Sequence, residues 1–319
     1  MTPSVSGIHH ITAMAGDPQV NLDFYTRTLG LRLVKRTVNF DDPTTYHFYY
    51  GDETGTPGSL LTFFPWGGDA PRGRIGTAQV ALTSFAVNPG ALTFWTERLS
   101  AAGLTTGAGS TPFGEPAVSL RDPDGLGLQL VEAPDDGRTG WATADIPETV
   151  AIRGFHAAAL SLVATERTAR LLTEVMGLRV LREEGDRVRL VADNANPGTI
   201  VDLALEPTRA RGLLGTGVVH HIAFRAATAD VQLALRDRVE AHGLPVTPVL
   251  DRSYFRSIYY REPGGVLFEV ATDAPGFTID EPAQELGMHL KLPAWLESHR
   301  GEIESQVDPI IVPDSNRRA

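Results

Sequence analysis

A Gly-Leu pair follows an amphipathic stretch four times along the chain: Gly30-Leu31, Gly103-Leu104, Gly177-Leu178 and Gly243-Leu244. Internal repetition of this kind constrains the fold more than composition does, because each repeat must be one supersecondary unit. Each glycine stands where a helix would end, at the C′ position that needs a positive φ. The helix starts agree. Asp17-Pro18 reads as N-cap then N1, Pro89 opens the second helix, and Thr165 and Thr228 can cap the third and fourth. The spacing of apolar residues predicts about three to four turns for each helix.

A short apolar strand is expected before each helix, at 8–14, 79–85, 155–163 and 219–226. After each Gly-Leu come about three further strands, including 45–50, 60–64, 117–120, 126–131, 188–191, 200–205, 258–260 and 266–271. Each unit therefore reads βαβββ, and the chain is α+β. One unit cannot bury its own apolar sheet face, so units must pair. The expectation is two curved mixed sheets, each built from two units around a cavity. The polar stretch 135–149, which carries Gly and Pro, suggests the boundary. It predicts one pair of modules over 1–140, a second over 150–275, and a tail over 276–319 with a helix near 295–307.

Net charge is −11, from 28 Lys and Arg against 39 Asp and Glu. That argues against a phosphate-binding surface, so nucleic acid is not an expected partner. The chain has no cysteine, so metal ligands must come from its 9 histidines and its acids. No run approaches the roughly 18 apolar residues of a membrane span, and MTPSVSGIHH lacks the basic and apolar regions of a signal peptide. A cytoplasmic protein with no membrane partner is expected. A homo-oligomer is compatible with this sequence.

A turn marker recurs near the end of the units: Pro57-Gly58, Arg121-Asp122-Pro123-Asp124-Gly125, Pro197-Gly198 and Arg261-Glu262-Pro263-Gly264-Gly265. Six residues past each Pro stand Phe63, Gln129, Leu203 and Glu269. Of these only Glu269 is a carboxylate. It lies between Phe268 and Val270, where an ionised acid is costly unless it is paired or metal-bound. The first strands add Ile8-His9-His10-Ile11, Phe155-His156-Ala157-Ala158 and Val219-His220-His221-Ile222. Neighbouring residues on a strand face opposite sides, so one His of each pair should face a given cavity. If that is the second, His10, His221 and Glu269 form two histidines and a carboxylate, the donor set of non-haem Fe(II) oxygen chemistry. The competing readings are His9 and His220 in the same role, core histidines, or a Glu269 paired with Arg252 or Arg261.

These residues carry a family resemblance. GIHHITAMAGDPQVNLDFYTRTLGLRLVKRTVNFD, GVVHHIAF and DRSYFRSIYYREPGGVLFEVATDAPGFT, with further stretches from about Ser6 to Pro313, resemble the vicinal oxygen chelate superfamily. Within it, the chain is similar to the ring-cleaving hydroquinone dioxygenases, the chlorohydroquinone dioxygenase group. The resemblance implies Fe(II) at His10, His221 and Glu269, with modules one and four meeting around it. Mn(II) accepts the same donors. It also implies an aromatic substrate, O2 as co-substrate, and Arg252 and Tyr259 as substrate contacts. His220 is expected in proton transfer, with a pKa near working pH. His9 and His156 are expected to support ligands, and Phe40, Phe63 and Phe255 to wall the ring. In the catechol extradiol enzymes the ligands come from modules three and four, and on that pattern His156 would replace His10. Other members of the superfamily sequester drugs without metal.

Overall fold

The computed structural model describes residues 3–192, 198–313 and 316. The turn residue Pro197 therefore lies outside the described residues. Four units follow one another, each with four strands. Unit one holds β1 (Ile8–Ala15), β2 (Arg32–Asn39), β3 (Asp42–Gly51) and β4 (Leu60–Pro65). Unit two holds β5 (Gln79–Val87), β6 (Gly107–Ser110), β7 (Pro116–Arg121) and β8 (Gly127–Glu132). Unit three holds β9 (Phe155–Leu162), β10 (Arg179–Glu184), β11 (Arg187–Val191) and β12 (Ile200–Leu205). Unit four holds β13 (Val218–Ala226), β14 (Leu250–Asp251), β15 (Arg256–Arg261) and β16 (Leu267–Thr272). A helix follows the first strand of each unit: α1 (Pro18–Asp23), α2 (Ala91–Ala101), α3 (Glu166–Arg170) and α4 (Ala229–Ala241). The α+β fold of four βαβββ modules is as expected.

The helix ends obey the glycine argument. Gly30, Gly103, Gly177 and Gly243 have φ of 67°, 76°, 80° and 85°. Gly103 has open space where a Cβ would sit, so Gly103→Ala isolates the backbone cost. It should destabilise the chain by about 1 kcal/mol, read by urea denaturation. Asp17 caps α1 by accepting from Gln19 N and Val20 N, and Thr228 caps α4 by accepting from Val231 N. The other two starts differ from expectation. Gly90, in the left-handed region, precedes α2, so Pro89 lies outside the helix. Thr165 precedes α3 without a side-chain cap. α1 and α3 each continue into one π-helical turn, Phe24–Thr28 and Leu171–Val175.

The pairing of units corrects the expected sequential grouping. One sheet has the order β14-β15-β16-β13-β1-β4-β3-β2, joining unit four to unit one. The other has the order β10-β11-β12-β9-β5-β8-β7-β6, joining unit three to unit two. In each sheet the two first strands lie side by side and antiparallel, β1 with β13 and β5 with β9. The stretch 135–149 therefore connects two units of one sheet rather than separating two sheets. Local apolar periodicity marks where strands are, and it carries no signal for which unit supplies the neighbouring strand.

One apolar core runs through both sheets, and Trp95, Phe85, Phe155, Phe224 and Phe268 are fully buried within it. Beyond β16 the chain returns to unit one. Lys291 N donates to Arg36 O on β2, and Leu292 and Ile303 pack on Val38. Lys35 on β2, itself buried, pairs with Asp280 at 2.6 Å and with Glu281, which pins this return. The tail helix α5 (Arg300–Gln306) is shorter than expected and follows the 3-10 turn Glu297–His299. No described helix is long and apolar enough to cross a membrane.

Candidate metal centre

Three neighbouring central strands, β16, β13 and β1, bring the expected ligands together. Ala223 on β13 is paired with His10 on one side and with Glu269 on the other. Laterally paired residues share a sheet face, and so does the residue two positions away along the strand. His10, Glu269 and His221 are therefore on one face, with only the small Ala223 between the first two. His10 Nε2 lies 3.2 Å from His221 Nε2 and 3.3 Å from Glu269 Oε2, and His221 Nε2 lies 2.9 Å from the same oxygen. All three residues are buried, with Glu269 at 0% exposure. Despite these short approaches Glu269 Oε2 has no hydrogen bond of acceptable geometry. The two histidine nitrogens approach each other within hydrogen-bond distance, and the carboxylate oxygen between them is left without a partner. Donors about 2.1 Å from one metal at right angles would stand about 3.0 Å apart, so the triangle fits a metal.

The second carboxylate oxygen is occupied. Ser257 Oγ donates to Glu269 Oε1, which turns Oε2 toward the histidines. Burial opposes ionisation of Glu269, yet His10 and His221 outweigh it and hold the carboxyl well below its ordinary range. Burial lowers the pKa of His221, with Glu269 opposing the shift.

The histidine pairs work differently from the alternation argument. The β1–β13 ladder has two bulges, and the extra residues are His9 on one strand and His220 on the other. A bulge puts two residues opposite one and re-aims their side chains. Each bulged histidine thereby reaches its neighbour: His9 Nδ1 lies 2.9 Å from His10 Nδ1, and His220 Nδ1 lies 2.7 Å from His221 Nδ1. The Nδ1 atoms are thereby engaged on the outer side, and the Nε2 atoms of His10 and His221 both face the centre. Burial and the adjacent imidazole push His9 and His220 down to about 3, so each stays neutral and can accept from the ligand's Nδ1–H. The expectation of a His220 poised near working pH is corrected by this burial.

Equivalent bulges in the other sheet fall on His156 and Ala81. The slots that match His10 and His221 there hold Ala157 and Leu82. His156 Nε2 donates to Glu115 Oε1 at 2.9 Å, in the sheet that does not carry the triangle. It does not come together with His221 and Glu269.

The ladders also correct the count from proline. Glu269 pairs with Ala223, two residues beyond His221. The same step leads to Thr62 in unit one, Gln129 in unit two and Asp202 in unit three. Phe63 and Leu203 are thus each one residue off, because the Pro-Gly turns are a residue shorter than Arg-Asp-Pro-Asp-Gly and Arg-Glu-Pro-Gly-Gly. Unit three does carry an acid in the slot, and Arg189 grips Asp202 with two bonds of 2.8 Å.

The triangle opens on a cavity of about 420 Å³, a size suited to a small aromatic. Phe40 and Phe255 line it as expected, as do His220, Arg252 and Tyr259. Phe63 does not; it packs on Tyr25 in the core, and its neighbour Phe64 faces the cavity. Arg252 Nε donates to Tyr259 Oη at 3.2 Å, and Arg252 pairs with Asp41 at 3.1 Å. Burial raises the Tyr259 phenol, so it keeps its proton at neutral pH. The opposite wall was not anticipated. His47 Nε2 meets Thr62 Oγ1 at 3.0 Å, and Tyr49 Oη donates to or accepts from His47 Nδ1 at 2.9 Å. Burial, aided by His10 and His221, holds His47 well below its usual range. The available signal was Thr45–Tyr50, where His47 and Tyr49 place two polar groups on one face of an otherwise apolar strand.

Residues 7–130 and 154–270 match the model of the Glyoxalase/Bleomycin resistance protein/Dioxygenase superfamily. A Bacillus subtilis (strain 168) protein named ring-cleaving dioxygenase MhqO is 46% identical over 312 residues, covering 98% of this chain and 99% of that one. The chlorohydroquinone/hydroquinone 1,2-dioxygenase of Sphingobium indicum is 36% identical over 317 residues, covering 97% and 98%. A crystal structure from Bacillus subtilis, named a dioxygenase, matches with a TM-score of 0.93 at 46% identity, over 97% of this chain and 99% of that one. Glyoxalase I from Zea mays shares the fold, with a TM-score of 0.64 at 15% identity over 84% and 92%. With both halves matched by the family model and full-length relatives carrying the ring-cleaving name, the chain belongs to the glyoxalase/bleomycin resistance protein/dioxygenase superfamily, among its ring-cleaving dioxygenases.

Proposed function

We propose that the chain is an Fe(II)-dependent dioxygenase that cleaves a hydroquinone-type ring, with His10, His221 and Glu269 as the metal ligands. The observation that carries this reading is the buried donor triangle, with its unsatisfied Glu269 oxygen, at the floor of an aromatic-lined cavity. The Sphingobium relative's name supports the substrate class. Fe(II) held by these three residues would supply the redox chemistry between substrate and dioxygen, and Mn(II) suits the same donors.

The chain's own residues do the rest. Phe40, Phe64 and Phe255 exclude water and hold the ring. Tyr259, protonated and braced by Arg252, is placed to donate a hydrogen bond to a substrate oxygen. Arg252 adds positive charge where a phenol loses its proton, and Asp41 fixes that guanidinium at the cavity rim. His9 and His220 hold the ligand imidazoles in one tautomer and orientation.

The test is anaerobic loading with Fe(II), then oxygen uptake with hydroquinone, substituted hydroquinones and catechol. Consumption of one O2 per hydroquinone, with both atoms in the product, is expected. No uptake with any ring would overturn the assignment.

A further inference from the structure

A second cavity, of about 350 Å³, adjoins the first, and His220 and Leu267 line both. Its wall carries two arginines, Arg211 and Arg261. Both reach the same residue. Arg261 Nη1 donates to Gly265 O at 3.1 Å, and Arg211 Nη2 lies 3.2 Å from where a Cβ on Gly265 would stand. Neither makes an ion pair among the described residues. The chain has 39 acids against 28 bases, yet among the described residues no carboxylate lines this cavity. Neighbouring guanidinium groups repel, and an anion that meets both planar forks relieves the repulsion.

We propose that this cavity binds a carboxylate, and that in turnover it receives the acid end of the ring-opened product. The second half of this statement rests on the dioxygenase reading. Breaking the bond between a hydroxyl-bearing carbon and its CH neighbour, with both atoms of O2 retained, makes a carboxylic acid of the first carbon and an aldehyde of the second. Hydroquinone and O2 supply every atom and electron, so no further reactant is needed. The substrate is neutral at pH 7, and the product, with an ordinary carboxyl pKa, is an anion. An arginine pair beside the metal cavity distinguishes the two by charge and draws the product away from the ligands.

Calorimetric titration of the metal-free chain with cis,cis-muconate, a six-carbon dicarboxylate, tests the site without turnover. Binding is expected, with neutral hydroquinone as the comparison that leaves this cavity empty. Arg211→Gln and Arg261→Gln, both at exposed side chains, should each weaken muconate by about tenfold or more. Arg27→Gln, an exposed side chain that does not line this cavity, should leave it unchanged. No muconate binding at millimolar concentration, or equal affinity in all these chains, would overturn the site. With Fe(II) loaded, inhibition of oxygen uptake by accumulated product should ease by a similar factor in the first two variants. Unchanged product inhibition would overturn the product assignment. Absence of oxygen uptake in the natural chain would show instead that the dioxygenase reading has failed, with the muconate result still deciding the site.

Discussion

A Glu269→Gln chain should fold normally and hold its metal at least about a hundredfold more weakly than the natural chain, with oxygen uptake falling in step. Even residues that only orient a ligand cost about 10–100-fold in metal affinity when replaced, and Glu269 faces the centre itself. Gln has the same shape, so Ser257 keeps a partner and the row Tyr259, Glu269, Ala223, His10 keeps its packing. What is lost is the negative charge opposite a divalent cation, at a position with 0% exposure where solvent cannot replace it. Metal analysis after dialysis reads the loss, and an unchanged circular dichroism spectrum separates it from unfolding. Ser257→Ala releases the other carboxylate oxygen and should cost less, about tenfold. A Glu269→Gln chain that keeps a full equivalent of metal through dialysis would remove Glu269 from the ligand set.

The residues of this centre were legible in the sequence to different depths. The Gly-Leu repeats were readable because a left-handed C′ residue has one easy solution, and all four glycines have positive φ. The position of Glu269 was readable because an acid between Phe268 and Val270 is costly without a partner. The pairing of unit one with unit four was hidden, since it depends on which long-range contact forms rather than on any local pattern. The bulges were hidden as well. A bulge adds one residue to a ladder, and nothing in Ile8-His9-His10-Ile11 marks His9 as the extra one. Simple alternation picked out the second histidine of each pair, which is the one in the triangle, but that one-residue step hid the contact its neighbour makes back to it. The same kind of step explains the slots. A turn shorter by one residue moved the true unit-three position from Leu203 to Asp202, so an acid that answers Glu269 was passed over.

Arg189→Met should destabilise the chain by about 3–5 kcal/mol, because Asp202 sits where the other sheet holds its candidate metal ligand. With Ala157 and Leu82 in the histidine slots, that sheet sets no imidazole beside the acid from either slot. It satisfies Asp202 with a cation from its own strand β11 instead. Arg189 bonds both oxygens of Asp202, donates to Glu115 Oε1 at 2.8 Å, and lies 4.1 Å over the Phe113 ring. Glu115 also holds Thr111 and His156, so the network ties β9, β11 and β12 to the turn before β7. Met keeps the bulk over Phe113 but leaves the buried Asp202 carboxylate without its cation and close to the half-buried Glu115. Urea denaturation at neutral pH should show the loss. Adding Asp202→Leu to Arg189→Met should recover most of it, since the stranded charge is then gone. The pH dependence has a definite sign. Burial already raises the Asp202 carboxyl, and Arg189 opposes that shift. Without Arg189 the folded chain takes up this proton at a higher pH than the unfolded chain does. The deficit is therefore full above the raised pKa and shrinks as the pH falls through it. A deficit independent of pH, or one that Asp202→Leu does not relieve, would mean that Arg189 acts by packing on Phe113 and not by neutralising the slot.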